Sequence, residues 1–132
     1  MTWLYTIETG ILTDGHKTIH AYSGLPGKWK NNPDYISERG CGAIPIGDYT
    51  IGPMFDSSSS GRGTMHLTPQ IGTNTYDRSG FEIHGDSISH PGAASHGCIC
   101  TVTPSAYDDR KYIDQSADKH LRVVANASGA IA

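Results

Sequence analysis

The residues with chemistry to offer lie close together: Phe81-Glu82-Ile83-His84-Gly85-Asp86, then, after a short gap, Ser95-His96-Gly97-Cys98-Ile99-Cys100. A cysteine nucleophile needs a base, donors for a developing oxyanion, and backbone room for a substrate carbonyl. Gly97 removes a side chain beside Cys98, where a substrate must approach closely. The Gly97 and Cys98 amides are the candidate oxyanion donors, and His84, at a strand end, is the candidate base. The thirteen residues between His84 and Cys98 are enough to bring the two face to face. Gly85, directly after His84, can present its carbonyl to the second ring nitrogen and fix the tautomer. Each piece alone has a plain structural reading, a small buried thiol or a satisfied histidine. Together they argue for a nucleophile with its base.

A metal centre is the competing chemistry. His84, His90, His96, Cys98 and Cys100 offer five nitrogen or sulfur ligands within seventeen positions, and zinc takes such ligands tetrahedrally. A metal-dependent hydrolase using His84, His90 and His96 is therefore one alternative, and a non-catalytic β domain that uses Cys and His structurally is another. Against the metal stands the lack of Cys-x-x-Cys or His-x-x-x-His spacing. Cys98 and Cys100 are also expected to face opposite ways. The chain is read as needing no metal and no other cofactor. A Cys41–Cys100 disulfide is open, since spacing does not establish pairing.

The elements that must hold these residues are short. Sixteen Gly and seven Pro in 132 residues leave little space for long helices. Strands are expected over residues 3–7, 10–13, 17–22, from about 48 to 52, 64–68, 81–84 and 120–125, with Phe81 and Ile83 on one face and Glu82 and His84 on the other. Asp14-Gly15 is a favoured hairpin turn. The stretch from Asp56 to Gly63, with its four-serine run, reads as a flexible connection, and Gly85 to Gly97 carries no helix or strand pattern. One helix is expected, capped by Thr103 with Pro104 at its first position and running to about Ala117.

The 132 residues, read as one domain over 1–132, carry 10 Lys+Arg against 13 Asp+Glu, a formal charge of −3. That balance leaves no basic footprint for nucleic acid. The apolar runs are far too short to insert in a membrane. The start, Met1 to Tyr5, lacks a basic region followed by an apolar one, so no signal peptide is expected.

His84, a variable loop and Ser95-His96-Gly97-Cys98 together resemble the signature of the L,D-transpeptidase catalytic domain. The wider pattern is most similar to the small L,D-transpeptidase effectors of type VI secretion. It comprises Trp3 with Tyr5, Ala21-Tyr22-Ser23-Gly24, Ile44-Pro45-Ile46-Gly47-Asp48-Tyr49, Met65-His66-Leu67-Thr68-Pro69 and Arg78-Ser79-Gly80-Phe81-Glu82-Ile83-His84-Gly85-Asp86. The chain departs from many housekeeping relatives after the cysteine, where it has Ile99-Cys100-Thr101.

The resemblance implies a mainly β fold, an L,D-transpeptidase-like β-sandwich with one short helix after the catalytic cysteine. It implies peptidoglycan stem peptides as substrate, with a tetrapeptide donor and water or a D-amino acid as acceptor. Cys98 is then the nucleophile of a thioester acyl-enzyme, His84 the base and Gly85 its orienting carbonyl. Gly97 and Cys98 hold the oxyanion, and His96 lines the site and assists catalysis. Asp86 and Ser95 shape the loop or bind substrate, and Arg78 is a candidate partner for a substrate carboxylate. It further implies a protein made in the cytoplasm and carried by the type VI apparatus into a target periplasm, with a cognate immunity protein as partner.

Overall fold

The computed structural model describes residues 2–128. Among these, the strands in chain order are β1 (Trp3–Thr6), β2 (Ile11–Thr13), β3 (Thr18–Ser23), β4 (Gly47–Ile51), β5 (Phe55–Ser57), β6 (Gly61–Pro69), β7 (Glu82–Gly85), β8 (Ile99–Thr101) and β9 (His120–Val124), with one helix, α1 (Ala106–Gln115), between the last two. The order across the sheet is β4-β9-β1-β2-β3-β8-β7-β6-β5, and β4 pairs again with β6. That second pairing closes eight strands into a barrel, while β5 pairs with β6 alone. The mainly β class with one short helix after Cys98 is what the structure has; the expected sandwich takes the form of this closed ring.

β4 and β5 run along one edge of β6 in succession. Tyr49 to Ile51 oppose Pro69 to Leu67, Phe55 opposes Thr64, and the Gly52 N–H donates to the His66 carbonyl between them (2.8 Å). The segment expected to be a flexible connection is therefore corrected: β5 and the start of β6 form a hairpin. Its turn is held by Ser57 Oγ, which accepts from the Ser59 and Ser60 amides (3.2 and 3.0 Å). Serine side chains make this turn without any apolar anchor. At the first hairpin, Asp14 Oδ1 accepts from His16 N–H and Lys17 N–H, so the turn is longer than the pair Asp14-Gly15 implies.

β7 and β8 are adjacent and parallel, with Ile83 opposite Ile99 and His84 opposite Cys100. Parallel neighbours need a crossover of about a dozen residues or more, so the chain from Asp86 to Cys98 must travel back the length of the strand. This is why the motif is split by a long loop. β8 itself was not expected as a strand, because three residues show no alternation. Ile83, Ile99 and Met65 are fully buried in the core cluster with Trp3, Tyr5, Leu12, Ile19, Tyr49 and Leu121. Strand alternation then puts His84 and Cys100 on the opposite, outer face. Tyr22 of β3 is the partner of Cys100 on its other side, so Tyr22, Cys100 and His84 form a row across three strands.

The helix starts later than expected. Its N-cap is Ser105, which makes no side-chain cap, and Thr103 Oγ1 instead donates to Asp109 Oδ2 (2.8 Å). Ile113 enters the core, and Arg110 lies across Gly63, Gly85 and Thr101 at the ends of β6, β7 and β8.

Candidate active site

His84 is buried on a strand bonded on both sides, and its Nδ1 lies 2.7 Å from the Gly85 carbonyl oxygen. A carbonyl only accepts, so Nδ1 carries the proton and Nε2 is left with a lone pair. Cys98 Sγ, a His84 ring nitrogen and a Glu82 carboxylate oxygen all lie within 4.8 Å of one another. Cys100 Sγ packs against the same imidazole, 3.6 Å from Nδ1 and 3.7 Å from Nε2. Cys98 and Cys100 thus both face His84. The expectation that they diverge is corrected by strand geometry itself, since residues two apart share a face.

The turn carrying Cys98 is held by polar contacts. Ser95 Oγ accepts from Gly24 N–H (2.9 Å) and Gly97 N–H (3.2 Å) and donates to the Cys98 carbonyl (2.7 Å). Ser95 is wholly buried, and its hydroxyl shapes the turn. The Gly97 amide donates to Ser95 Oγ in this structure. Gly97 has φ +134°, and a Cβ there would come within 2.3 Å of Arg78 Nη2, so only glycine fits.

Arg78 is not a solvated surface residue: it lines the cavity at Cys98 with its guanidinium turned to backbone. It is 6 % exposed. Nη1 donates to the Ile36 and Ala43 carbonyls (2.5 and 2.8 Å), and Nη2 to the Gly42 and His96 carbonyls (2.8 and 3.4 Å). The guanidinium fork is filled by backbone, and the cation sits behind the nucleophile turn.

Asp86 is likewise an organiser of the crossover loop. Its Oδ1 accepts from Tyr22 OH (2.6 Å) and Ser87 N–H (2.8 Å), and both oxygens accept from Gly92 N–H (3.1 and 2.9 Å). Tyr22 OH accepts in turn from Ala94 N–H (2.8 Å). Burial, and next the Asp86 carboxylate, push the Tyr22 phenol far above its ordinary range.

Burial pushes the Cys98 thiol up to about 11, and the Glu82 charge adds to this, while the Glu82 backbone N–H and Arg78 pull the other way. The thiol donates to the Gly80 carbonyl at 3.7 Å. The resting group is therefore a neutral thiol, not a preformed thiolate, and a base must take its proton at the moment of attack. Burial pushes Cys100 higher still. His96 is exposed, with Nδ1 3.1 Å from the Gly40 carbonyl.

A family model of the Tlde1 domain, the type VI L,D-transpeptidase effectors, matches residues 17–126, well over half of the chain. The chain belongs to the Tlde1 domain family. No curated protein matches it. Its family is one of peptidoglycan-modifying enzymes.

Within this Tlde1 domain the metal triad weighed from sequence is not assembled. Among the described residues, the one set of three ligating groups within 4.8 Å of each other is Glu82, His84 and Cys98; His90 and His96 are outside it. An ion held there would occupy both nucleophile and base. All three cysteines are free thiols, Cys41 and Cys98 half-buried and Cys100 buried, so the structure has no Cys41–Cys100 bond. The sequence analysis left Glu82 out of the site and took Cys100 only as a candidate metal ligand or disulfide partner. The signal was present: each is two positions from His84 or Cys98 on an extended chain.

Proposed function

We propose that this Tlde1 domain is an L,D-carboxypeptidase and D-amino-acid exchange enzyme that acts on tetrapeptide stems through a Cys98 thioester. The observation that carries this reading is the Cys98 thiol beside a His84 whose other nitrogen is tied to Gly85. Cys98 Sγ attacks the carbonyl carbon of the third stem residue while His84 Nε2 takes the thiol proton. The Cys98 amide is assigned to the oxyanion. The carbon–nitrogen bond to the terminal D-alanine then breaks, and His84 returns the proton to the departing amine. Water or the amine of a D-amino acid next attacks the thioester, His84 takes its proton, and the Cys98 sulfur leaves to be reprotonated.

In this reading His96, exposed at the mouth, contacts bound stem without donating a proton to the reaction. Delivery by the type VI apparatus, action in a target periplasm and neutralisation by an immunity protein complete it, supported by family membership.

The test is mass spectrometry of disaccharide-tetrapeptide incubated with the protein, with and without excess D-amino acid. Loss of one D-alanine, or its replacement, is expected with Cys98 intact and is reduced at least a thousandfold in Cys98→Ala. Unchanged tetrapeptide from folded wild-type protein sinks the reading and returns attention to a cell-wall-binding domain.

A further inference from the structure

Two cavities meet at the nucleophile. The smaller, of about 340 Å³, is lined by Arg39, Asp77 and Arg78 among others. The larger, of about 660 Å³, is lined by Glu82, His84, Asp86 and the serines 58–60. Gly80, His96 and Cys98 belong to both. Their charges are opposed: two arginines and one aspartate line the first, two carboxylates and neither Lys nor Arg the second.

The proton path says which is which. His84 lines the larger cavity and not the smaller. The same imidazole must protonate the departing amine and deprotonate the acceptor, so leaving group and acceptor both occupy the larger cavity. The acyl stem then lies toward the arginines. Both leaving D-alanine and an incoming D-amino acid carry a carboxylate into a space lined by carboxylates.

The two acidic residues there are not equivalent. Asp86 is enclosed by Tyr22 OH and two backbone amides. Glu82 is anchored from behind, Oε1 accepting from Ser60 Oγ (2.5 Å) and Oε2 3.4 Å from His66 Nδ1. It still sets a carboxylate oxygen within 4.8 Å of Cys98 Sγ and of a His84 ring nitrogen. Its charge works against a thiolate, so acylation gains nothing from it.

Resting on the acyl-transfer reading above, we propose that Glu82 is the acceptor-selecting residue. Its negative charge beside the thioester disfavours acceptors bearing a carboxylate, so water deacylates Cys98 in preference to free D-amino acids, and released D-alanine is kept from re-entering.

The experiment offers two acceptors that differ in that one charge, D-methionine and D-methioninamide, to wild type, Glu82→Gln and Glu82→Asp at pH 8. Mass spectrometry reads tripeptide against each exchange product. All products descend from one thioester, so their ratios do not depend on how fast a variant acylates. Comparing the amide-to-acid preference between enzymes also cancels the difference in amine basicity. Glu82→Gln is expected to lower that preference about three- to tenfold, as loss of a nearby like charge dictates, while Glu82→Asp keeps the wild-type direction. A preference unchanged or increased in Glu82→Gln overturns the proposal while leaving the acyl-enzyme intact. Absence of every product from wild type overturns the acyl-transfer reading itself, and the proposal with it.

Discussion

His84 and Cys98 reach one cavity from two different kinds of backbone. The base stands on β7, bonded to β6 on one side and β8 on the other. The nucleophile stands on a turn whose shape depends on Ser95 and Arg78. Each region is backed by a buried arginine passing behind a glycine, Arg110 behind Gly85 and Arg78 behind Gly97. Arg110 donates to Gly63 O, Thr101 Oγ1 and Arg62 O, joining the helix to the barrel wall. Arg78 donates only to carbonyls of loops, joining 36–43 to the turn at His96. The base borrows rigidity from the sheet, while the nucleophile depends on a polar network built for it.

The glycines test this most severely. Gly97→Ala sets a Cβ at 2.3 Å from Arg78 in a left-handed backbone. It is expected to cost about 3 kcal/mol or more and to lower turnover at least a hundredfold. Gly85→Ala meets Arg110 at 3.1 Å and is expected to cost about 1 kcal/mol, with His84 kept in place by its strand. Thermal unfolding beside product formation reads both. Equal losses at the two positions would break the contrast.

The arginines sharpen it. Arg78→Met and Arg110→Met each strand buried carbonyls, and each is expected to cost about 2–4 kcal/mol. Of the two arginines only Arg78 pulls down the Cys98 thiol, so only Arg78→Met is expected to raise the midpoint for iodoacetamide alkylation of Cys98 above about 11. A shift of equal size in Arg110→Met would show that the cation behind the turn has no special hold on the nucleophile.

The same division explains what could be read from sequence. Strands such as Trp3–Thr6 and His120–Val124 announce themselves by β-prone residues between turn signals. The His84 and Cys98 pair was legible because its residue types and small neighbours have few other uses in that order. β8 was not, because its pairing is set by a parallel crossover that leaves no local pattern. The anchoring of Arg78 was hidden for a related reason. Its partners are carbonyls at Ile36, Gly42, Ala43 and His96, and carbonyls are carried by every residue, so nothing in the sequence marks which ones will converge. Glu82 and Cys100 needed only the alternation already assigned to Phe81–His84, extended one step to ask what shares the outer face.

The smallest effect concerns the thiol itself. The Cys98 pKa is raised in the fold from the ordinary 9.0 to about 11, so the native state holds its proton where the unfolded chain has released it. Stability from this source is fully present below pH 9 and is lost as pH rises to 11. Cys98→Ser removes the group and should flatten that share of the alkaline decline, by no more than about 1–2 kcal/mol once partial exposure is allowed for. Cys100, held higher by burial, continues to titrate in the variant, so the difference between the two pH profiles isolates Cys98. A thiolate already formed in the resting protein would reverse the sign, making wild type gain on the variant as pH rises from 6 to 9. Superimposable profiles would instead mean that the turn opens to water often enough for the thiol to titrate as it does in the unfolded chain, and the polar network around Ser95 and Arg78 would then be looser than its hydrogen bonds imply.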